Sequence, residues 1–144
     1  SDHDYFTNSV HVPVWKEIDP FEKIDIESQL TGYSSAGCIT YVEIGDKAAD
    51  NLAALEQLVK YAMDKDVPYF ALNLPLSHCT VCGSDENIDF DASCPCCGAD
   101  AEQVEHLARV TGYLSTTFRH FNKGKQSEVK QRFTHVNKLQ NWKQ

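Results

Sequence analysis

Two short cysteine motifs constrain this chain more than any other feature. Cys79-Thr80-Val81-Cys82-Gly83 and Cys94-Pro95-Cys96-Cys97-Gly98 repeat one design, with eleven residues between Cys82 and Cys94. A two-residue gap lets both thiolates of a pair face one ion at about 2.3 Å. The glycine after the second cysteine permits a tight turn that carries amide N–H groups toward sulfur. Two such knuckles close a tetrahedral site whose ligands are Cys79, Cys82, Cys94 and Cys97. Soft, all-thiolate ligation favours Zn2+, with an iron–sulfur cluster as the competing occupant. The protein fills all four positions, leaving none for water or substrate, so the metal is expected to be structural. Its binding energy then becomes folding energy for a segment with little apolar core.

The remaining cysteines fit that site less well. Cys94 and Cys96 lack ligand spacing, which leaves Cys96 as a spare, oxidation-prone thiol. Cys38 stands at the start of an expected strand and reads as a small buried hydrophobe. His78, beside Cys79, is at most a redundant fifth ligand that packs or meets solvent. Zinc ribbons often hold nucleic acid, but phosphate contacts need cations. There is no Lys or Arg between Lys65 and Arg109, so direct nucleic-acid binding is not expected.

Six cysteines without a charged-then-apolar leader suit a reducing compartment, and no apolar run reaches membrane-spanning length. A cytoplasmic, globular chain with no membrane contact is expected, 144 residues long and 42% apolar. Of its thirteen Lys/Arg and twenty-one Asp/Glu, eight and one fall in residues 107–144. Five and twenty remain for residues 1–106, so a +7 tail follows a −15 body. The basic end is expected to dock on the acidic body or on a partner.

Patterning gives a coarse order of elements. Tyr5–Leu30 has no long helical period and reads as loop, with a short strand around Val10–Val14. Its apolar residues need a surface that the sequence does not supply, which suggests a piece of something larger. Ile39–Ile44 reads as a strand. After a Gly45-Asp46 turn comes a helix with Leu52, Leu55, Leu58, Val59, Ala62 and Met63 on one face, capped by Asp46 or Asp50 and stopped before Pro68. Tyr69–Leu74 reads as a second strand, completing a βαβ unit with parallel strands. Val104–Leu107 reads as a short helix and Leu114–Lys125 as a loop. A last helix is expected from Ser127, its N-cap, with Glu128 in the first turn and Val129, Phe133, Val136, Leu139 and Trp142 along one face.

Arg109-Val110-Thr111-Gly112-Tyr113-Leu114 resembles the RVxGYL signature of the class III, anaerobic ribonucleotide reductases, a glycyl-radical family. The likeness continues through Asn122, Gly124-Lys125, Glu128-Val129 and Arg132. It extends back to Tyr5-Phe6-Thr7-Asn8-Ser9, His11-Val12-Pro13 and Ile39–Glu43. Two zinc knuckles just before the glycine belong to the same pattern.

The resemblance implies an α/β fold: residues 1–76 as the late βαβ portion of a glycyl-radical-enzyme α/β barrel, 77–106 as a four-cysteine zinc ribbon, and 107–144 as a glycyl-radical loop and C-terminal helix. It implies that Gly112 carries a radical installed by a radical-SAM activating enzyme with an iron–sulfur cluster. That radical would pass to a barrel cysteine, whose thiyl form attacks a ribonucleoside triphosphate, with formate as reductant in a homodimeric complete enzyme. Glycine suits the role because a radical on its α-carbon spreads over the flanking amide groups, and no β-carbon blocks flattening or close approach. Cys38 matches none of the family's barrel cysteines. This length alone is therefore expected to store a radical and not to reduce a nucleotide by itself. A stand-alone radical-carrying repair module and a non-enzymatic zinc-ribbon interaction module are the alternatives.

Overall fold

The computed structural model describes residues 3–7, 11–45, 51–89, 91–110, 113–115 and 121–132, with backbone alone at 108–110 and 113–115. The described residues of Thr7–Leu74 form one compact unit. Those of Ser1–Phe6 and Pro75–Arg132 form another.

The first unit is a βαβ motif preceded by a helix. Helix α1 (Pro20–Thr31) leads to β1 (Ile39–Glu43), α2 (Leu52–Asp64) and β2 (Tyr69–Asn73). The strands pair in parallel, from Ile39 opposite Tyr69 to Glu43 opposite Asn73. Ile24, Val42, Ile44, Ala54, Leu58 and Ala62 form the buried core.

Helix α1 replaces the later part of the loop expected over Tyr5–Leu30, while the described residues from Tyr5 to Asp19 form no helix or strand. Its start carries local signals: the Asp19 carboxylate accepts from the N–H of Phe21 at 2.8 Å, and Pro20 occupies the first turn, where its missing N–H costs nothing. An apolar period is hidden because the buried face includes charge, with Lys23, Ile24, Glu27 and Thr31 all inside. Residues 11–14 form no strand, and Val10 lies outside the described residues.

Glu27 is fully buried and held on every side. It accepts from the Val12 N–H at 3.0 Å, lies 3.3 Å from His11 Nδ1, and pairs with the buried ammonium of Lys23. Burial pushes its pKa up, but the His11 contact, the Lys23 charge and the Val12 N–H together hold it below the usual glutamate value. A carboxylate whose folded pKa is depressed stabilises the fold above its unfolded pKa, and that stability drains away as pH falls through the folded value. Urea titrations of Glu27→Gln should therefore show a flatter loss of stability below about pH 4.5 than the parent chain. Parallel curves for the two would contradict this.

Helix α2 is capped by Asn51, whose side chain accepts from the Ala54 N–H at 3.2 Å. The expected caps, Asp46 and Asp50, lie outside the described residues. Its buried face is Ala54, Leu58 and Ala62, with Leu55 partly covered. Leu52, Val59 and Met63, expected inward, are exposed. Alanines one turn either side of Leu58 let the helix approach the core closely, which rotates the larger side chains outward. The helix closes at Lys65, and Asp66 takes a left-handed φ of 55° ahead of Pro68.

The second unit is an antiparallel sheet of order β4-β3-β5-β6: β3 (Leu76–Cys79), β4 (Asp85–Glu86), β5 (Val104–Val110) and β6 (Tyr113–Ser115). A 3-10 turn (Ala101–Gln103) precedes β5. The helix expected at Val104–Leu107 is thus strand. Val104 and His106 are buried while Glu105 and Leu107 face out, a period of two that a four-residue stretch did not distinguish from helix.

Helix α3 (Lys123–Gln131) begins four residues before the expected N-cap, Ser127. Asn122 is the cap, accepting from the Lys125 N–H at 2.9 Å. Part of the expected Leu114–Lys125 loop is therefore the end of β6 and the first turn of α3. Glu128, expected in the first turn, lies toward the other end, buried and 3.2 Å from Arg132. Gly124 fits that first turn because a side chain there would meet the Asp4 carbonyl at 3.2 Å. Tyr5 donates from its hydroxyl to Gln131 at 2.9 Å, and Phe121 and Val129 are buried. Phe133, Val136, Leu139 and Trp142 lie outside the described residues. Lys130 stands 3.7 Å from Asp91 with both side chains exposed, a basic-on-acidic contact that stabilises by less than about 1 kcal/mol. No described helix is long and apolar enough to cross a membrane.

Candidate metal centre

The two knuckles adopt one backbone conformation. In the first, Gly83 N–H donates to the Cys79 carbonyl at 2.9 Å and Cys79 N–H to the Ser84 carbonyl at 2.9 Å. In the second, Gly98 N–H donates to the Cys94 carbonyl at 2.8 Å and Cys94 N–H to the Ala99 carbonyl at 2.8 Å. Both turns need a left-handed residue, and Gly83 and Gly98 supply it with φ of 71° and 75°. Cys79 and Cys94 are buried beside Ile88 and Val104, with Ala92 and Ala99 packed alongside. Cys82 and Cys97 are exposed.

These turns bring four sulfurs together. The Sγ atoms of Cys79, Cys82, Cys94 and Cys97 all lie within 4.8 Å of one another. Cys79 and Cys97 are 3.7 Å apart, as are Cys82 and Cys94, both pairs crossing between knuckles. Sulfurs at 2.3 Å from the centre of a regular tetrahedron stand about 3.8 Å apart. The spacing therefore fits one four-coordinate ion with no open position.

The electrostatics also call for a cation. The Cys82 N–H, aided by the Val81 N–H and neighbouring sulfurs against the effect of burial, lowers the Cys79 thiol to about 6. The Ala99 N–H pulls Cys97 down too, but burial and the sulfurs of Cys82, Cys79 and Cys94 push it up to about 12. Thiolates this close resist ionising together without a positive ion among them. A divalent cation reverses that balance and deprotonates its ligands.

The other candidates fall elsewhere. Cys96 is exposed and outside the four-sulfur cluster. Cys38 is buried at the foot of β1, where burial and the Glu27 charge raise its pKa. His78 is exposed, with its Nδ1 2.7 Å from Asp85, and that contact raises its pKa. Gly112 lies outside the described residues. The strand before it ends at Val110, which pairs with Tyr113 at the start of β6. The sequence reading missed the buried Ser77–His106 pair beneath the knuckles, whose Oγ and Nδ1 are 2.9 Å apart. Alternation in Val104–Leu107 signals an inward-facing His106, but nothing local pairs it with Ser77.

A family model described as anaerobic ribonucleoside-triphosphate reductase matches residues 1–135. The anaerobic ribonucleoside-triphosphate reductases of Haemophilus influenzae and Escherichia coli are each 39% identical over 141 residues, covering 94% of this chain and 20% of theirs. The enzyme of that name from Enterobacteria phage T4 is 36% identical over 140 residues, covering 94% of this chain and 23% of its own. The chain thus spans about a fifth of the length of these relatives. A solved structure of an anaerobic ribonucleotide reductase shares the fold with a TM-score of 0.66 at 24% identity, over 88% of this chain and 19% of that one.

Proposed function

This chain belongs to the anaerobic ribonucleoside-triphosphate reductase family, and from that premise we propose that it is the region in which such a reductase stores its radical, on Gly112, beside a structural zinc ribbon. The carrying observation is one of order along the chain. The four-sulfur cluster is followed, after a 3-10 turn, by β5, whose last two residues open the run Arg109-Val110-Thr111-Gly112-Tyr113-Leu114 in the sequence.

In this reading Cys79, Cys82, Cys94 and Cys97 hold Zn2+, which supplies crosslinking and charge neutralisation and takes no part in the reaction. A radical-SAM activating enzyme breaks one α C–H bond of Gly112 homolytically. That enzyme's iron–sulfur cluster would supply the one electron that cleaves S-adenosylmethionine, and the carbon radical so released would accept the hydrogen atom. The unpaired electron stays on the glycine until it takes a hydrogen atom from a cysteine in the remainder of the reductase. The resulting thiyl radical starts reduction of a ribonucleoside triphosphate, with formate as the reductant. The segment contributes the stored spin, the remaining polypeptide the substrate site.

A carbon radical on the main chain reacts with oxygen and breaks the chain there. Anaerobic activation followed by exposure to air should therefore yield a C-terminal fragment, read by mass spectrometry, that starts near residue 112. Gly112→Ala should remain intact under the same treatment. Cleavage in both, or in neither, would overturn the assignment.

A further inference from the structure

The inner face of the β3–β5 ladder has two steps. Cys79 opposes Val104 at one, and Ser77 opposes His106 at the next. Ser77 is 2% and His106 6% exposed. The Ser77 hydroxyl stands 2.9 Å from His106 Nδ1 and 3.2 Å from both the N–H and the carbonyl oxygen of Ile88. Ile88 lies between the knuckles, and its side chain packs with Cys79, Cys94 and Val104.

A hydroxyl has one proton to give and two lone pairs to offer. The Ile88 N–H donates to Oγ. One arrangement then satisfies all three contacts: the Ser77 hydroxyl donates to the Ile88 carbonyl, and His106 donates from Nδ1–H to Oγ. The imidazole is thereby fixed by a serine that is itself fixed by the loop between the two knuckles.

The position of this step along β5 matters more than its chemistry alone. The β3–β5 pairing ends at Leu76 opposite Leu107. Among the described residues, β5 beyond Leu107 pairs with β6, through Ala108–Ser115, Arg109–Leu114 and Val110–Tyr113. His106 is the last residue of the β3–β5 ladder described as buried, and β5 continues from it to Val110, two positions before Gly112 in the sequence.

We propose that His106 is a positioning residue for the radical glycine, tying closure of the four-thiolate ribbon, through Ser77 and the Ile88 backbone, to the direction in which β5 presents the following residues. Its purpose rests on the radical reading given above; the linkage itself rests on the contacts just described.

Asparagine at position 106 places an N–H donor where Nδ1–H stands, and leucine places none. Three variants, His106→Leu, His106→Asn and Ser77→Ala, are compared with the parent by zinc per chain, by amide hydrogen exchange across residues 104–110, and by spin per chain. Spin is read in the reductase carrying this segment after anaerobic activation. At equal zinc content, His106→Leu and Ser77→Ala should exchange β5 amides roughly tenfold faster and hold severalfold less spin. His106→Asn should stay near the parent in both. Parent-like exchange and spin in His106→Leu, or equal defects in His106→Leu and His106→Asn with zinc retained, would overturn the proposal. If His106→Leu loses its zinc, the contrast between His106→Asn and Ser77→Ala decides by the same readouts. A parent chain that takes up no spin would sink the radical role, and the exchange data would still decide the linkage.

Discussion

Cys79→Ser should hold no zinc and should leave residues 76–107 without protected amides. Cys79 contributes a buried sulfur to the cluster, and its neighbours in the core are Ile88, Cys94 and Val104. So few apolar groups cannot order two knuckles and four strands. Structural zinc contributes on the order of 10–16 kcal/mol in comparable small sites at neutral pH, and most of that requires the full ligand set. Metal analysis should find well under one zinc per chain in Cys79→Ser, and hydrogen exchange should show the sheet open. Cys96→Ser is the matched control: Cys96 is exposed and outside the cluster, so zinc content and protection should equal the parent's. Loss of metal in Cys96→Ser, with retention in Cys79→Ser, would mean that the ligand set is wrong.

Glu27→Ala should be the most damaging single substitution in the βαβ unit. It removes a fully buried carboxylate and leaves the Lys23 ammonium, itself 6% exposed, without its counter-charge. Breaking one side of a buried pair costs about 3–5 kcal/mol, whereas replacing both partners with apolar groups of similar volume is often near neutral. Urea denaturation should place the midpoint of Glu27→Ala far below that of the Lys23→Met/Glu27→Met double variant. Equal losses in the two would show that packing volume, not stranded charge, sets the cost.

What could be read from the sequence follows from how local its cause is. A Cys-x-x-Cys-Gly knuckle is specified within five residues, so the four cysteines whose sulfurs cluster are legible in the sequence. The βαβ unit was legible for a similar reason: Ile39–Glu43 and Tyr69–Asn73 are short β-rich runs bracketing a regular helix. Helix α1 was not, because its inward face carries the Lys23–Glu27 pair where periodicity looks for apolar residues. The inward face of α2 was misjudged because burial went to Ala54 and Ala62, while the larger Leu52 and Met63 stayed outside. At Val104–Leu107 the alternation was real but short, and only pairing with β3 settles it as strand. The Ser77–His106 contact joins residues 29 apart, a relation that no local pattern carries.

The role of Gly112 depends on where an unpaired electron resides, and electron paramagnetic resonance measures that directly. The reductase carrying this segment is grown with glycine deuterated at the α-carbon and activated anaerobically beside an unlabelled sample. The account predicts a doublet from the single remaining α-hydrogen in the unlabelled protein, its collapse to a narrow line on deuteration, and no signal in Gly112→Ala. A signal unchanged by deuteration, or one that survives Gly112→Ala, would contradict it.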